Sequence, residues 1–137
     1  MARFEDFVRA QDLVWPAVLA ELGAGAKRTH WMWFVFPQLA ALGRSERARF
    51  YGIASLVDAQ AYLVHPVLGA RLVACTEMVN RVTGRTAHEI FGAPDDLKFR
   101  SCVTLFGRAG GGAVFAAALA KYYGGAEDAA TVALLGD

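Results

Sequence analysis

The sequence contains little cysteine, almost no excess charge and no long apolar run. Cys75 and Cys102 are its only cysteines, and neither has a partner at the spacing of a metal site or redox motif. Fourteen basic and 13 acidic residues leave a net charge of +1, so no overall field favours nucleic acid or an anionic membrane. No apolar stretch reaches the roughly 18 residues of a membrane span. We therefore expect neither nucleic acid nor membrane as a partner.

The sequence also lacks a secretory signal. Charged residues come early, at Arg3, Glu5 and Asp6, and no apolar h-region follows them. The two cysteines are flanked by apolar residues, which is typical of reduced thiols in a core. A reducing compartment is therefore expected, and the predicted location is cytoplasmic.

Patterns that bind metals or cofactors are missing as well. The histidines at positions 30, 65 and 88 are scattered, and none belongs to an H-E-x-x-H or similar motif. The glycine run GRAGGG at 107–112 lacks the spacing and the preceding strand of a dinucleotide-binding fingerprint. No metal and no cofactor are predicted.

What is present is helical periodicity over nearly the whole chain. Its 137 residues, 55% of them hydrophobic, suit one domain with a substantial core. We predict an all-α, compact multihelical single domain over 1–137, with about seven short helices. Pro16 is expected to kink or split the first helix. A short helix is expected over 30–35, and the best case for a strand is 34–36 (FVF). The predicted N-caps are Thr29, Ser45, Ser55, Thr86 and Asp128.

The strongest chemical signal lies at 27–38, KRTHWMWFVFPQ. Lysine and arginine bind phosphate or carboxylate, indole faces stack on planar rings, and the unpaired N–H groups of a helix start favour anions. A structural alternative stays open, in which the tryptophans are core and the cations are solvated. The candidate ligand-binding residues here are Lys27, Arg28, Trp31, Trp33 and Gln38, with His30 as a candidate catalytic residue.

A second dense stretch is 94–106, PDDLKFRSCVTLF. Glycosyl transfer and hydrolysis need carboxylates beside an oxocarbenium-like centre. Structural alternatives are equally available, because acids in a first turn complement the helix dipole and serine can bond its own helix backbone. The candidates are Asp95 and Asp96 as reactive carboxylates, Lys98 and Arg100 as anion contacts, and Ser101 as a substrate contact.

Two weaker signals complete the set of candidates. A triad of Ser101, His30 and Asp95 requires the fold to bring them together, and no G-x-S-x-G elbow supports it. Gln11 shares a helical face with apolar residues in FVRAQ. Its amide needs a partner if buried, so it either ties two helices together or contacts a ligand.

Several segments together resemble a bacterial domain-of-unknown-function family, number eighteen-ten, whose members are often mislabelled calpastatin. The similar segments are FVRAQ (7–11), KRTHWMWFVFPQLAALGRS (27–45), AYLVHPVLGARL (61–72), IFGAPDDLKFRSCVTLF (90–106) and KYYGGAEDAATVALL (121–135). This resemblance implies a mainly α-helical domain without an established activity. A remoter likeness to the NADAR domains rests on the aromatic-x-x-Ala-Gln element and a later basic segment. It implies ADP-ribose-like or N-glycoside chemistry.

Three hypotheses follow. In the first, a cytoplasmic protein binds a phosphorylated ribosyl or nucleotide-like small molecule such as an ADP-ribose derivative, with hydrolysis of an N-glycosidic bond as a further step. In the second, a non-enzymatic interaction module presents the aromatic segment 30–36 to a protein. In the third, His30 and both tryptophans are core residues with no cavity beside them. The sequence does not indicate an oligomeric state.

Overall fold

The computed structural model describes residues 1–136 of the chain, and its secondary structure there is helical. The helices are α1 (Phe4–Gly23), α2 (Met32–Val35), α3 (Glu46–Phe50), α4 (Leu56–Val64), α5 (Leu68–Arg81), α6 (Ala87–Phe91), α7 (Asp95–Arg108), α8 (Ala113–Tyr123) and α9 (Ala129–Leu135). A 3-10 turn covers Ala40–Leu42. No strand forms within these residues; an isolated bridge joins Leu39 to Ile53. The predicted all-α class is confirmed.

Helix α7 lies at the centre of the fold. It packs against α4, α6, α8 and α9, and every residue from 101 to 106 is buried. A helix that is apolar on several faces has to be surrounded by other elements. Ser101 and Thr104 are satisfied within the helix, since their hydroxyls donate to the carbonyls of Leu97 (3.1 Å) and Arg100 (2.8 Å).

Four predicted N-caps are confirmed. Ser45, Ser55 and Asp128 each accept a hydrogen bond from the backbone N–H three residues further on, at 3.1, 3.2 and 2.9 Å. Thr86 and Glu89 form a full capping box, in which each side chain accepts from the other residue's backbone N–H. These local signals place the starts of α3, α4, α6 and α9.

One of three local predictions is wrong. Thr29 does not cap a helix, because its hydroxyl donates to Glu21 Oε2 and the helix starts later, at Met32. Of the kink or split predicted at Pro16, the split does not occur, because α1 continues through Pro16 to Gly23. The short helix predicted over 30–35 is present as α2, so segment 34–36 does not form a strand: Phe34 and Val35 belong to α2 and pack into the core.

No helix among residues 1–136 combines the length and the hydropathy needed to cross a membrane.

Candidate functional site

A cleft of about 360 Å³ opens where three elements meet: the segment 38–48, the first turns of α7, and the start of α9. Its apolar wall is formed by Leu42, Ala48, Pro94, Leu97 and Ala130. Its polar lining is Gln38, Arg44, Ser45, Lys98, Ser101 and Asp128. A concave apolar surface with a few converging polar groups is the usual form of a small-molecule site. The stretches 27–38 and 95–101 therefore border one cleft, through Gln38 on one side and Lys98 and Ser101 on the other.

Several polar groups of this cleft have no protein partner. Within residues 1–136, the Gln38 amide and the Arg44 guanidinium form neither a hydrogen bond nor an ion pair. The Lys98 ammonium has only a long ion pair, with Nζ 3.9 Å from Asp95 Oδ1. Two cations and an amide are thus available to a ligand.

Asp95 lies beside the cleft between two lysines. Its Oδ2 is 2.9 Å from Lys27 Nζ, and only 6% of the Lys27 side chain and 20% of the Asp95 side chain are exposed. The Lys27 ammonium also lies 5.1 Å from the centre of the Trp31 ring. A close, shielded pair is much stronger than an exposed one, so Asp95 is neutralised mainly by Lys27. Lys98 is therefore only loosely paired, and its ammonium can contact a ligand in the cleft.

Trp33 borders a narrow recess next to the cleft. The recess is shared with Gln38 and Lys98, and its volume of about 10 Å³ leaves room for little more than one water. The Arg47 guanidinium lies 5.1 Å from the centre of the Trp33 ring. The half-buried Trp33 is therefore the one of the two predicted stacking residues that lies near the cleft.

Segment 28–31 is held by a single carboxylate, Glu21 of α1. Its Oε1 accepts from the backbone N–H groups of Arg28 (2.7 Å) and Thr29 (2.9 Å) and from Trp31 Nε1 (3.0 Å). Its Oε2 accepts from the Thr29 hydroxyl at 2.7 Å. Burial raises the pKa of Glu21, but these four hydrogen bonds outweigh it and lower the pKa to about 2. The ionised Glu21 shapes this segment.

That anchoring explains where three predicted site residues lie. Trp31 is fully buried with its N–H bonded to Glu21, so neither face of its ring is open to a ligand. Arg28 and His30 are exposed, and neither lines the cleft. The structure consequently does not bring His30 together with Ser101 in a triad.

Asp96 and Arg100 face away from the cleft. Asp96 Oδ2 lies 3.3 Å from His88 Nδ1. Arg100 donates to the carbonyls of Ala126 (2.9 Å) and Glu127 (3.2 Å), and does not pair with Asp96 as its helical spacing suggests. Arg100 thereby fastens the connection between α8 and α9 to α7.

Gln11 is a buried tie between helices. Its Nε2 donates to the Phe34 carbonyl at 2.6 Å and lies 3.3 Å from the Tyr62 hydroxyl. Its Oε1 accepts from Arg71 at 3.2 Å. All of its hydrogen bonds are to protein groups, which agrees with the structural alternative considered for it.

Three polar residues of the cleft were not among the predicted site residues: Arg44, Ser45 and Asp128. In the sequence, Ser45 and Asp128 have the signature of helix caps, and they are caps. Arg44 precedes a cap and belongs to no motif. Only the packing of α9 against α7 and the 3-10 turn brings these residues together.

Comparison with known proteins agrees with the fold. A family model described as "Protein of unknown function (DUF1810)" matches residues 1–135. The chain belongs to the DUF1810 family. This confirms the predicted membership, whereas the likeness to NADAR domains stays a prediction.

The DUF1810 chain is also similar to a solved structure. The crystal structure of the conserved hypothetical protein Rv1873 from Mycobacterium tuberculosis is 60% identical in sequence and superposes with a TM-score of 0.94. The similarity covers 96% of this chain and 94% of that one. No curated protein matches the chain.

Proposed function

We propose that this DUF1810 protein binds a phosphorylated ribosyl or nucleotide-like small molecule in the cleft between segment 38–48, α7 and α9. The observation that carries the proposal is the set of polar groups on one concave surface, where Gln38 and Arg44 have no protein partner among residues 1–136 and Lys98 has only a long ion pair. Gln38 and Lys98 are half-buried, and half-buried polar groups are normally satisfied, so these two groups beside the exposed Arg44 favour a ligand in the cleft.

Arg44 and Lys98 are the proposed phosphate contacts. A guanidinium offers a planar fork of donors to phosphate oxygens, and an ammonium adds a mobile point charge. Lys27 supports Lys98 indirectly by neutralising the Asp95 carboxylate between them. Lys27 was predicted to bind phosphate itself. In the proposal it supports the phosphate site through its ion pair with Asp95.

The remaining part of the ligand is proposed to lie on the apolar wall. Pro94 and Leu97 border the cleft at the start of α7, and the Leu97 side chain is largely exposed. A planar ring covering this surface would remove it from water. The cleft volume of about 360 Å³ is near the lower end for ligand pockets, which favours a mononucleotide-sized molecule over a dinucleotide.

Hydrolysis is not part of the proposal. Cleavage of an N-glycosidic bond needs a carboxylate directly at the reacting carbon. Asp95 is paired with Lys27, Asp96 faces His88, and neither lines the cleft.

The alternative of an interaction module has less support. Five of the seven residues in the aromatic segment 30–36 are buried, so the segment does not present a broad aromatic face. The third hypothesis also fits poorly, because it required a buried His30, which is exposed, and no cavity beside Trp33.

We place this binding activity in the cytoplasm. Cys75 and Cys102 are free and buried, as expected for thiols in a reducing compartment. Burial raises the pKa of Cys75 to about 12, which keeps it protonated and unreactive at neutral pH.

Titration calorimetry tests the proposal with inorganic phosphate, ribose 5-phosphate, AMP and ADP-ribose. We expect AMP to bind, and Lys98→Gln and Arg44→Gln each to weaken that binding by about tenfold or more, since each removes a charge-assisted hydrogen bond. Arg49→Gln is the matched control, because Arg49 is an exposed arginine of α3 outside the cleft. An absence of binding for all four probes, or an equal loss in the control variant, would contradict the proposal.

A further inference from the structure

Asp128 is a carboxylate held in a fixed orientation at the edge of the cleft. Its Oδ2 accepts from the Thr131 backbone N–H (2.9 Å) and the Thr131 hydroxyl (2.6 Å). Its own N–H donates to the Thr104 hydroxyl of α7 at 2.9 Å. These bonds fix both the backbone and the side chain before any ligand arrives.

The second oxygen of this carboxylate, Oδ1, is unused by the protein. Within residues 1–136 it accepts no hydrogen bond, and Asp128 forms no ion pair with Arg44 or Lys98 although all three line the same cleft. An ionised carboxylate can accept about four hydrogen bonds, of which Asp128 uses two. Asp128 therefore adds a carboxylate with an unused oxygen to the residues that line the cleft.

The charge balance of the cleft indicates which donor this acceptor suits. Two cations and one carboxylate line it, while the neighbouring Asp95 is already paired with Lys27. The net charge of the cleft is therefore positive, and it repels a ligand ammonium. Neutral O–H groups are thus the favoured hydrogen-bond donors to Asp128.

We propose that Asp128 determines specificity by accepting hydrogen bonds from the hydroxyl groups of a phosphorylated sugar or nucleoside, whose phosphate is held by Arg44 and Lys98. This inference rests on the proposed function and adds the residue that selects for the ligand's hydroxyl groups. A phosphate with neighbouring hydroxyls satisfies the cations and the carboxylate at once, which inorganic phosphate cannot do.

Asp128→Asn isolates the proposed role from the capping role. Asparagine is as good an N-cap as aspartate, so its carbonyl oxygen can keep accepting from Thr131. Its NH₂ group then takes the place of Oδ1 and replaces an acceptor by a donor. Asp128→Ser is the second variant, because serine also caps a helix but leaves nothing at the position of Oδ1. Unchanged melting temperatures show that both variants fold.

The experiment compares the affinities of wild type and both variants for AMP, 2′,3′-dideoxy-AMP, inorganic phosphate and phosphoethanolamine. We expect both variants to weaken AMP binding by about tenfold or more and to leave inorganic phosphate within about twofold. Wild type is expected to bind dideoxy-AMP about as weakly as Asp128→Asn binds AMP.

Three results would overturn the inference. One is AMP binding that both variants leave unchanged while Lys98→Gln weakens it, in which case the proposed function stands and the role of Asp128 falls. Another is tighter binding of phosphoethanolamine than of AMP, which would assign Asp128 to an ammonium. The third is a wild-type chain that binds none of the probes, which removes both proposals.

Discussion

At the scale of single residues, Glu21 shows how one side chain sets the shape of a segment. Its carboxylate joins α1 to the chain at 28–31 through two backbone N–H groups, a hydroxyl and the indole N–H of Trp31. Only 8% of Glu21 is exposed, so these donors have few alternative partners in water. The indole of Trp31 is consequently fixed inside the core.

This arrangement predicts a pH-dependent contribution to stability. The pKa of Glu21 is about 2 in the folded chain and 4.5 ordinarily, so folding favours the ionised form. The contribution is complete above pH 4.5 and is lost as the pH falls towards 2. It amounts to about 3 kcal/mol, from about 1.4 kcal/mol for each unit of pKa difference.

Urea denaturation of wild type and Glu21→Gln at a series of pH values measures this contribution. The variant is expected to be less stable at neutral pH by about 3 kcal/mol, with the difference shrinking under acid conditions. Glu5→Gln is the control, because Glu5 is an exposed carboxylate on the same helix. A stability difference between wild type and Glu21→Gln that is the same at every pH would show that the ionised carboxylate is not responsible.

The role of Glu21 also shows why some residue-level predictions failed. Thr29 has the composition of a cap and precedes an apolar run, so local reasoning makes it an N-cap. The competing partner, Glu21, comes from another element, and nothing in the local pattern reveals it. Lys27 and Trp31, both candidate ligand-binding residues, likewise precede the first residue of α2, Met32.

At the scale of helices, two glycines differ in how much space their surroundings leave for a side chain. Gly69 lies in the first turn of α5, and an added Cβ there would be 1.9 Å from the Leu63 carbonyl oxygen at the end of α4. A Cβ on Gly107 of α7 would instead lie 3.5 Å from the Phe115 Cβ, an ordinary contact. The close approach of α4 and α5 therefore depends on Gly69.

Alanine substitution at the two glycines is expected to have opposite effects. Gly69→Ala should lower the free energy of unfolding by about 2 kcal/mol or more, because backbone has to move. Gly107→Ala should raise it by up to about 1 kcal/mol, because alanine is the better helix former. The midpoints of urea denaturation measure both changes in stability. Shifts of similar size and sign in the two variants would contradict the inference that the approach of α4 and α5 depends on Gly69.

Helix starts were the most predictable part of the fold. Ser45, Ser55, Thr86 and Asp128 bond to N–H groups three residues away, so the cap and its partner lie in one short stretch of sequence. For Pro16 the sequence left a kink and a split open, and only tertiary structure, in which α1 packs against α5 and α2, shows that the helix is not split.

At the scale of the whole molecule, the cleft joins parts of the chain that are distant in sequence. Gln38, Lys98 and Ser101 were predicted as site residues and do line it together. Arg44 and Asp128 were not, because no spacing rule connects them to those three. Motifs therefore indicated three of the polar residues that line the cleft, tertiary packing decided which of them meet, and their roles in binding stay predictions.

Binding of a phosphorylated nucleotide-like molecule in this cleft can be tested by locating the residues that respond to the ligand. Backbone amide chemical shifts of the ¹⁵N-labelled chain should be followed by NMR during titration with AMP. We predict saturable shifts at Gln38, Ser45, Ser101 and Ala130, while the exposed Arg28 and His30 stay unchanged. Shifts centred on Arg28 and His30, or no shifts at millimolar AMP, would contradict the account.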